Sequence, residues 1–283
     1  MASLFVNQLT TLDFSFLCPD RGIVGETWLV DVTLNGDLDE QGMVFDFGHV
    51  KKQVKASLDC LADHRLLIPT ECPTVTTHQI GGRLDVAMDS RSVGRIECKA
   101  PAQAVLLVDV EAITPEALTP ILEQDLLKEL PGNVQSVELT LYTEAINGAY
   151  FHYSHGLKKH LGNCQRIAHG HRSALHIHVD GRRDSDLETK WAESWKDIYI
   201  GTREDLQESF QKSGREYYRF AYTSDQGYFE LTIAHNLCYL IDTDSTIELL
   251  ADHIAGRHEK IKPGCQIRVA AFEGFNKGGI AER

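Results

Sequence analysis

Apolar and polar residues alternate over seven stretches of this chain: TWLVDVTLNG (27–36), AVLLVDVEA (104–112), SVELTLYT (136–143), SALHIHVDG (173–181), YYRFAYT (217–223), YFELTIA (228–234) and QIRVAAFE (266–273). A period of two sends alternate side chains to opposite faces, so each stretch predicts a half-buried strand. Other stretches carry the helical period. Within 46–67, Val50, Val54, Leu58 and Leu61 share one face. After Thr114, the residues Leu118, Ile121, Leu122 and Leu126 recur at helical spacing, and LLADHIAGRH (249–258) follows Ser245 and Thr246 in the same way. Thr114 and Ser245 are residue types that cap helices, and the acids that follow suit a helix N-terminus. Residues 182–215 are densely charged and predict an insertion with helix at its end. Residues 70–98 predict irregular, partly β structure. The mixture is α+β with antiparallel sheets.

The pattern occurs twice. VELTLYTEAINGAYF places Glu144 before Asn147, and IRVAAFEGFNKGGIAE places Glu273 before Asn276. Upstream of each stands Thr-x-Glu at a helix start, Thr114-Pro115-Glu116 and Thr246-Ile247-Glu248. Thr114 and Thr246 are 132 residues apart, and Glu144 and Glu273 are 129 apart. Such ordered self-similarity predicts a duplication, with one unit over 1–148 and a second over 149–283.

Composition narrows the class. The chain has 283 residues, 42% hydrophobic and 24% charged, as a globular protein does. Its net charge of −13 argues against nucleic acid or an anionic membrane as partner. Seven cysteines without a CxxC pair predict reduced thiols and a cytoplasmic setting. No signal-peptide pattern opens the chain, and no apolar run approaches membrane-spanning length.

Candidate chemistry concentrates in YFHYSHGLKKHLGNCQRIAHGHRSALHIHVDG (150–181), which holds seven of the thirteen histidines. His169 and His171 are two apart, so a strand would aim both imidazoles at one face. His155 lies upstream at a distance that a hairpin closes. Three neutral imidazoles on one ion leave an open position, the pattern of a catalytic zinc. Cys164, five residues before His169, could be nucleophile, base or fourth ligand, or simply a small buried hydrophobe. His176 and His178 continue the alternation beyond any three-ligand need.

These residues resemble the 6-pyruvoyltetrahydropterin and 6-carboxytetrahydropterin synthase family, whose units have the T-fold. The resemblance rests on Phe151–His155, on Cys164 with His169-Gly170-His171, on GMVFDF (42–47), on Ala62-Asp63-His64-Arg65-Leu66-Leu67, on the two Thr-x-Glu turns, and on Glu144 and Glu273. It covers nearly the whole chain as a tandem fusion of two units, each a sheet with two helices on one face, assembling into a β-barrel. Tyr153 stands where the family has Ala, and the Thr-x-Glu blocks lack its Asn.

The copies differ in complementary ways. In the first half FSFLC (14–18) is set against FHYSH, which puts Cys18 in place of the first ligand. Val24 and Glu26 replace the other two. In the second half TIAHNLCYLID (232–242) is set against the Asp-His block, with Ala234 replacing the aspartate before His235. The family builds its sites between neighbouring units. The resemblance therefore implies one complete site, with zinc on His155, His169 and His171 and Cys164 as base, and with Asp63 and His64 lent by the first half. It implies a pterin triphosphate substrate held by Glu273 or Glu144, with Thr246 and Glu248 lining the pocket and Lys158, Lys159, His160 and Arg166 near the triphosphate. It implies a homo-oligomer, a dimer or larger. The expected reaction converts 7,8-dihydroneopterin triphosphate to 6-carboxytetrahydropterin for queuosine biosynthesis. The alternatives are 6-pyruvoyltetrahydropterin formation, a non-catalytic zinc or pterin scaffold, and a metal-dependent hydrolase of a purine-like ring. Cys164 argues against the branch that carries glutamate there.

Overall fold

A computed structural model describes residues 1–283. The first unit runs through β1 (Ala2–Cys18), β2 (Gly22–Gly36), α1 (Phe47–Leu61), β3 (Leu66–Pro69), β4 (Val75–Ile80), β5 (Arg83–Ser90), β6 (Gly94–Pro101), β7 (Val105–Val108), α2 (Pro115–Glu129) and β8 (Val134–Tyr142). The second repeats this order. It comprises β9 (Tyr150–His155), β10 (His169–Val179), a short β11 (Arg182–Arg183), α3 (Ser185–Ser194), β12 (Ile198–Thr202), β13 (Leu206–Lys212), β14 (Arg215–Ser224), β15 (Gly227–Ala234), β16 (Cys238–Ile241), α4 (Ile247–Ile261), β17 (Ile267–Phe272) and β18 (Gly278–Glu282). Each unit is an α+β T-fold unit. No helix is long and apolar enough to cross a membrane.

The sheets follow from the hydrophobic periods. Unit 1 orders its strands β7-β3-β1-β2-β8 and unit 2 orders them β16-β12-β9-β10-β17-β18. The hairpins β1–β2 and β9–β10 are antiparallel, while β3 and β12 lie parallel to β1 and β9 after a helical crossover. Helix α1 buries Val50, Val54 and Leu58, four apart, and Asp46 of the GMVFDF block caps it by accepting from Gly48 N and His49 N. Helix α2 buries Leu118, Leu122 and Leu126 behind the cap Thr114, whose hydroxyl accepts from Ala117 N at 3.2 Å. Helix α4 buries Leu250, Ala251, Ile254, Ala255 and His258.

Two regions depart from the sequence expectation. Residues 70–98 form regular antiparallel strands, and the charged segment begins with its helix, α3, and continues into strands. The reason is shared. Strands β4–β6 of unit 1 and β13–β15 of unit 2 build a third sheet, ordered β13-β14-β15-β6-β5-β4. The halves join where Leu231 pairs with Cys98. One face of this sheet buries Val86, Met88, Ile96, Phe220, Phe229 and Leu231 in a core drawn from both units. The other face carries cross-strand charge pairs such as Lys99–Glu230 at 2.6 Å. The many charged residues thus mark a half-exposed sheet.

The units also meet at their first hairpins. Leu12, Phe14 and Phe16 of β1 enter the core of unit 1, while Asp13 and Ser15 point the other way, to unit 2. Ser15 Oγ and Ser154 Oγ lie 2.7 Å apart, both fully buried. Glycines permit this approach. A Cβ on Gly25 would lie 1.8 Å from the Tyr153 carbonyl oxygen, and one on Gly170 would lie 2.7 Å from Gly25 Cα. Ser15 pairs with Gly25 and Leu66, and Ser154 pairs with Gly170 and Tyr199. This register relates the units by an approximate twofold centred on the two serines.

Candidate metal centre and active site

The hairpin β9–β10 aligns the imidazoles. His155 is directly opposite His169, and His171 follows two residues on. Their ring centroids are 4.4, 5.5 and 5.8 Å apart, and one ligand atom from each falls within 4.8 Å of the others. All three are at most 1% exposed. The Nδ1 atoms of His155 and His169 are hydrogen-bonded, to Ser245 O and Oγ at 3.1 and 3.0 Å and to Arg166 O at 3.0 Å, while His171 Nδ1 lies 3.2 Å from Asp13 Oδ1 at ion-pair distance without a hydrogen bond. Each Nε2 is buried without a partner. Buried polar nitrogens are seldom left unpaired. Three that converge, two with the other ring nitrogen hydrogen-bonded to oxygen and the third beside the Asp13 carboxylate, fit a tetrahedral metal such as Zn²⁺ with one open position. Burial and the neighbouring imidazoles hold His155 and His169 well below the usual histidine range, in the neutral form a metal accepts.

Unit 1 supplies the other wall. Asp63 and His64 follow α1, where His64 takes a left-handed backbone (φ 54°). Asp63 Oδ2 is 2.5 Å from His64 Nδ1, and Asp63 Oδ1 accepts from Asp13 N at 2.8 Å. The His64 ring centroid is 5.1 Å from that of His169 and 6.3 Å from that of His171. His64, Cys164 and His169 bring a ligand atom each within 4.8 Å of one another. Burial would lower the His64 pKa, but Asp63 and Cys164 outweigh it and raise it to about 10. Cys164 sits half-buried in a short 3-10 turn (Asn163–Gln165).

Asp13 ties the two walls together and is the residue that sequence reasoning missed. Its carboxylate meets His171 of unit 2, Thr27 Oγ1 at 2.6 Å and Lys277 Nζ at 2.9 Å, and its backbone carbonyl accepts from His64 N at 2.6 Å. Burial pushes its pKa up, yet His171, Lys277 and Thr27 together hold it well below the carboxylate range. The available signal was LDFSF itself, an acid inside an apolar strand. Ser245 entered the sequence reading only as a cap, and Lys277 not at all.

The other candidates separate. Glu273 Oε1 is 3.8 Å from His171 Nε2, held there by a tight turn in which Glu273 N donates to Lys277 O. Glu144 ends unit 1, where its carbonyl accepts from Arg172 Nη1 at 2.8 Å, and no contact links it to the triad. Thr246 is half-buried beside Ser245, and Glu248 is exposed on the first turn of α4. The basic patch divides: Lys158 and Lys159 pair with Glu204, Asp205 and Asp244, His160 takes the Gly162 N–H, and Arg166 donates to the carbonyls of Asp63 and His64.

The twofold register corrects two equivalences. The partner of His155 is Phe16, not Cys18, because Ser15 matches Ser154. The partner of His64 is Asp197, also left-handed (φ 55°), and not His235, which opens a 3-10 turn after β15. Val24 and Glu26 do match His169 and His171. The shift of two residues arose because FSFLC and FHYSH share an aromatic-x-aromatic start at the wrong phase.

The fold and this geometry define a tandem T-fold protein with one candidate metal centre. The family model for 6-pyruvoyl tetrahydropterin synthase matches residues 19–149 and again 144–281, so the chain belongs to that family. Over 133 residues it is 24% identical to "Putative 6-carboxy-5,6,7,8-tetrahydropterin synthase" of Pyrococcus horikoshii, covering 47% of this chain and 74% of the relative. The protein of the same description from Pyrococcus abyssi is 23% identical over the same share of each chain. Among solved structures, 6-pyruvoyl tetrahydropterin synthase of Plasmodium vivax superposes with a TM-score of 0.41 at 17% identity, over 52% of this chain and 93% of that one.

Proposed function

We propose that this chain is a zinc-dependent lyase that converts 7,8-dihydroneopterin triphosphate and one water to 6-carboxytetrahydropterin, acetaldehyde and triphosphate, in the route to queuosine. The observation that carries the reading is the packing of the unit 1 His64 ring on the unit 2 His169 ring, with Cys164 in reach of both. Two groups able to move protons flank one open ligand position, as acid–base chemistry on a bound diol requires. The curated relatives named as carboxy-type synthases support the choice of product.

His155, His169 and His171 hold the zinc, which would act as a Lewis acid on the side-chain hydroxyls of the substrate. Cys164 Sγ accepts a side-chain proton as general base. His64 relays a proton through Nε2, since Asp63 occupies Nδ1. Asp63 fixes that tautomer and balances the imidazolium. Glu273 receives the paired N–H donors of the pterin, a two-point contact suited to a carboxylate. Glu144 has no part in this centre, and Thr246 and Glu248 act through the start of α4.

Copies of the chain associate through free sheet edges. Strand β8 buries one face of a nine-residue edge that pairs only with β2, and unit 2 ends on β18. Edges of this kind are managed by pairing, so the reading includes a homo-oligomer whose sheets close into barrels.

The test is product identification. Zinc-replete protein with 7,8-dihydroneopterin triphosphate should yield 6-carboxytetrahydropterin and acetaldehyde, and Cys164→Ala should yield neither. Formation of 6-pyruvoyltetrahydropterin alone would move the assignment to the pyruvoyl reaction. Pterin binding without turnover would reduce the protein to a scaffold.

A further inference from the structure

The twofold mate of the metal centre has been rebuilt, and a cavity opens beside it. Phe16, Val24 and Glu26 stand where the three histidines stand, so this side offers no tri-imidazole site. Asp197 replaces His64 and is bound by Arg21 through two hydrogen bonds of 3.0 and 2.5 Å. His152 replaces Asp13 and bonds Gly25 O at 2.7 Å. The adjacent cavity measures about 890 Å³ and runs along α3 and the start of β9. Its size falls in the range that encloses a small organic ligand. The space has a structural origin. Helices α1 and α3 end at matching caps, Ala62 and Trp195, but α3 has ten residues and α1 fifteen.

Charge and shape indicate the ligand. In a chain of net charge −13, Arg21, Arg183 and Lys196 converge on this one cavity. Arg183 is held by the buried Glu188 at 2.8 and 2.9 Å, which sets its direction. Lys196 is exposed and has no ion-pair partner. The acids of the lining are Glu188, which is committed to Arg183 and Ile177 N, and the exposed Glu193. Tyr150, 43% exposed, contributes a ring whose one face is covered by the Arg172 guanidinium at 4.2 Å, which leaves the other for stacking. Ser185 and Thr189 add hydroxyls. We infer that this cavity binds a phosphorylated aromatic heterocycle of nucleotide size, apart from the metal centre. Lys196 meets the phosphate, joined by the one Arg21 nitrogen, Nη1, that Asp197 leaves free, and Tyr150 stacks on the ring.

Calorimetric titration of the full-length protein with guanosine 5′-monophosphate and with inorganic phosphate tests this. One saturable GMP site per chain is expected, with Trp191 of α3 and Trp195 at its C-cap as fluorescent reporters. Lys196→Glu should weaken it by about tenfold or more, as loss and reversal of a phosphate contact does. Tyr150→Ala should weaken GMP while leaving phosphate unchanged. His64→Ala should leave GMP binding intact, and Lys196→Glu should leave pterin turnover intact. Absence of saturable GMP binding at millimolar concentration overturns the proposal. Equal binding by Lys196→Glu, or loss of binding in His64→Ala, overturns it as well.

Discussion

The candidate metal centre and its twofold mate are built on the same backbone and carry opposite chemistry. Both have a buried serine at the axis, a glycine at the crossing and a left-handed residue before the third core strand. On one side that residue is His64, facing three imidazoles. On the other it is Asp197, tied to Arg21. Acid and imidazole have traded places, Asp13 for His152 and His64 for Asp197. Covalent fusion explains how this is tolerated. When two units are always joined, only one of the two sites needs a full set of ligands, and the other is free to change. Asp13 illustrates the gain, since a unit 1 carboxylate can specialise in orienting a unit 2 histidine.

Four substitutions break or sharpen this contrast. The largest effect is expected on the complete side. Cys164→Ala should lower kcat by about 10²–10⁴, the usual worth of a positioned general base, measured as pterin product formed per zinc-loaded chain. On the other side, Glu26 is buried, and although Thr27 N, Arg172 and Arg21 oppose the effect, its pKa rises to about 7; Asp197 adds to the rise, and the His152 ring lies 3.8 Å away. A carboxyl raised above its unfolded value stabilises the fold at low pH and loses that contribution as pH climbs from about 4.5 to about 7. Glu26→Gln should therefore remove this slope and gain up to about 3 kcal/mol above neutral pH, read by urea unfolding at a series of pH values. Unchanged slope in the variant would place the titration elsewhere.

Smaller effects separate orientation from ligation. Asp13→Asn keeps the shape but removes the charge beside His171, and zinc affinity should fall by about 10–100-fold in chelator competition. A fall of that size with the fold intact distinguishes it from a core defect. Arg21→Ala leaves the Asp197 carboxylate, 10% exposed, without its partner. A loss of about 1–3 kcal/mol in chemical denaturation is expected, with zinc content unchanged. Zinc loss in this variant would show that the two sides are not independent.

Much of this arrangement was legible in the sequence. The His-x-His pair at period two and the hairpin return to His155 place the triad without coordinates, because strand geometry is that regular. The Asp63-His64 step after an amphipathic helix was legible only through the family resemblance, since no period marks it. The third sheet was legible only in part. The period of two announced β14 and β15 at 217–223 and 228–234, but not β4 to β6 or β13, and no local pattern announces the pairing of β15 with β6 across halves more than a hundred residues apart. Strand β1 escaped for a related reason: from Leu12 to Leu17 it is buried on both faces, which erases alternation. Asp13 was hidden by the same double burial, since its partners His171 and Lys277 belong to the other unit. The phase error that favoured Cys18 over Phe16 shows that motif similarity needs a strand register to be safe.

The most direct measurement is zinc content and turnover together in His64→Ala. The expected result is one zinc per chain, as in the unaltered protein, with turnover of dihydroneopterin triphosphate lowered by about 10² or more. Unchanged turnover would contradict the lending of the acid–imidazole pair from the first unit to the centre in the second, and so would two zincs per chain.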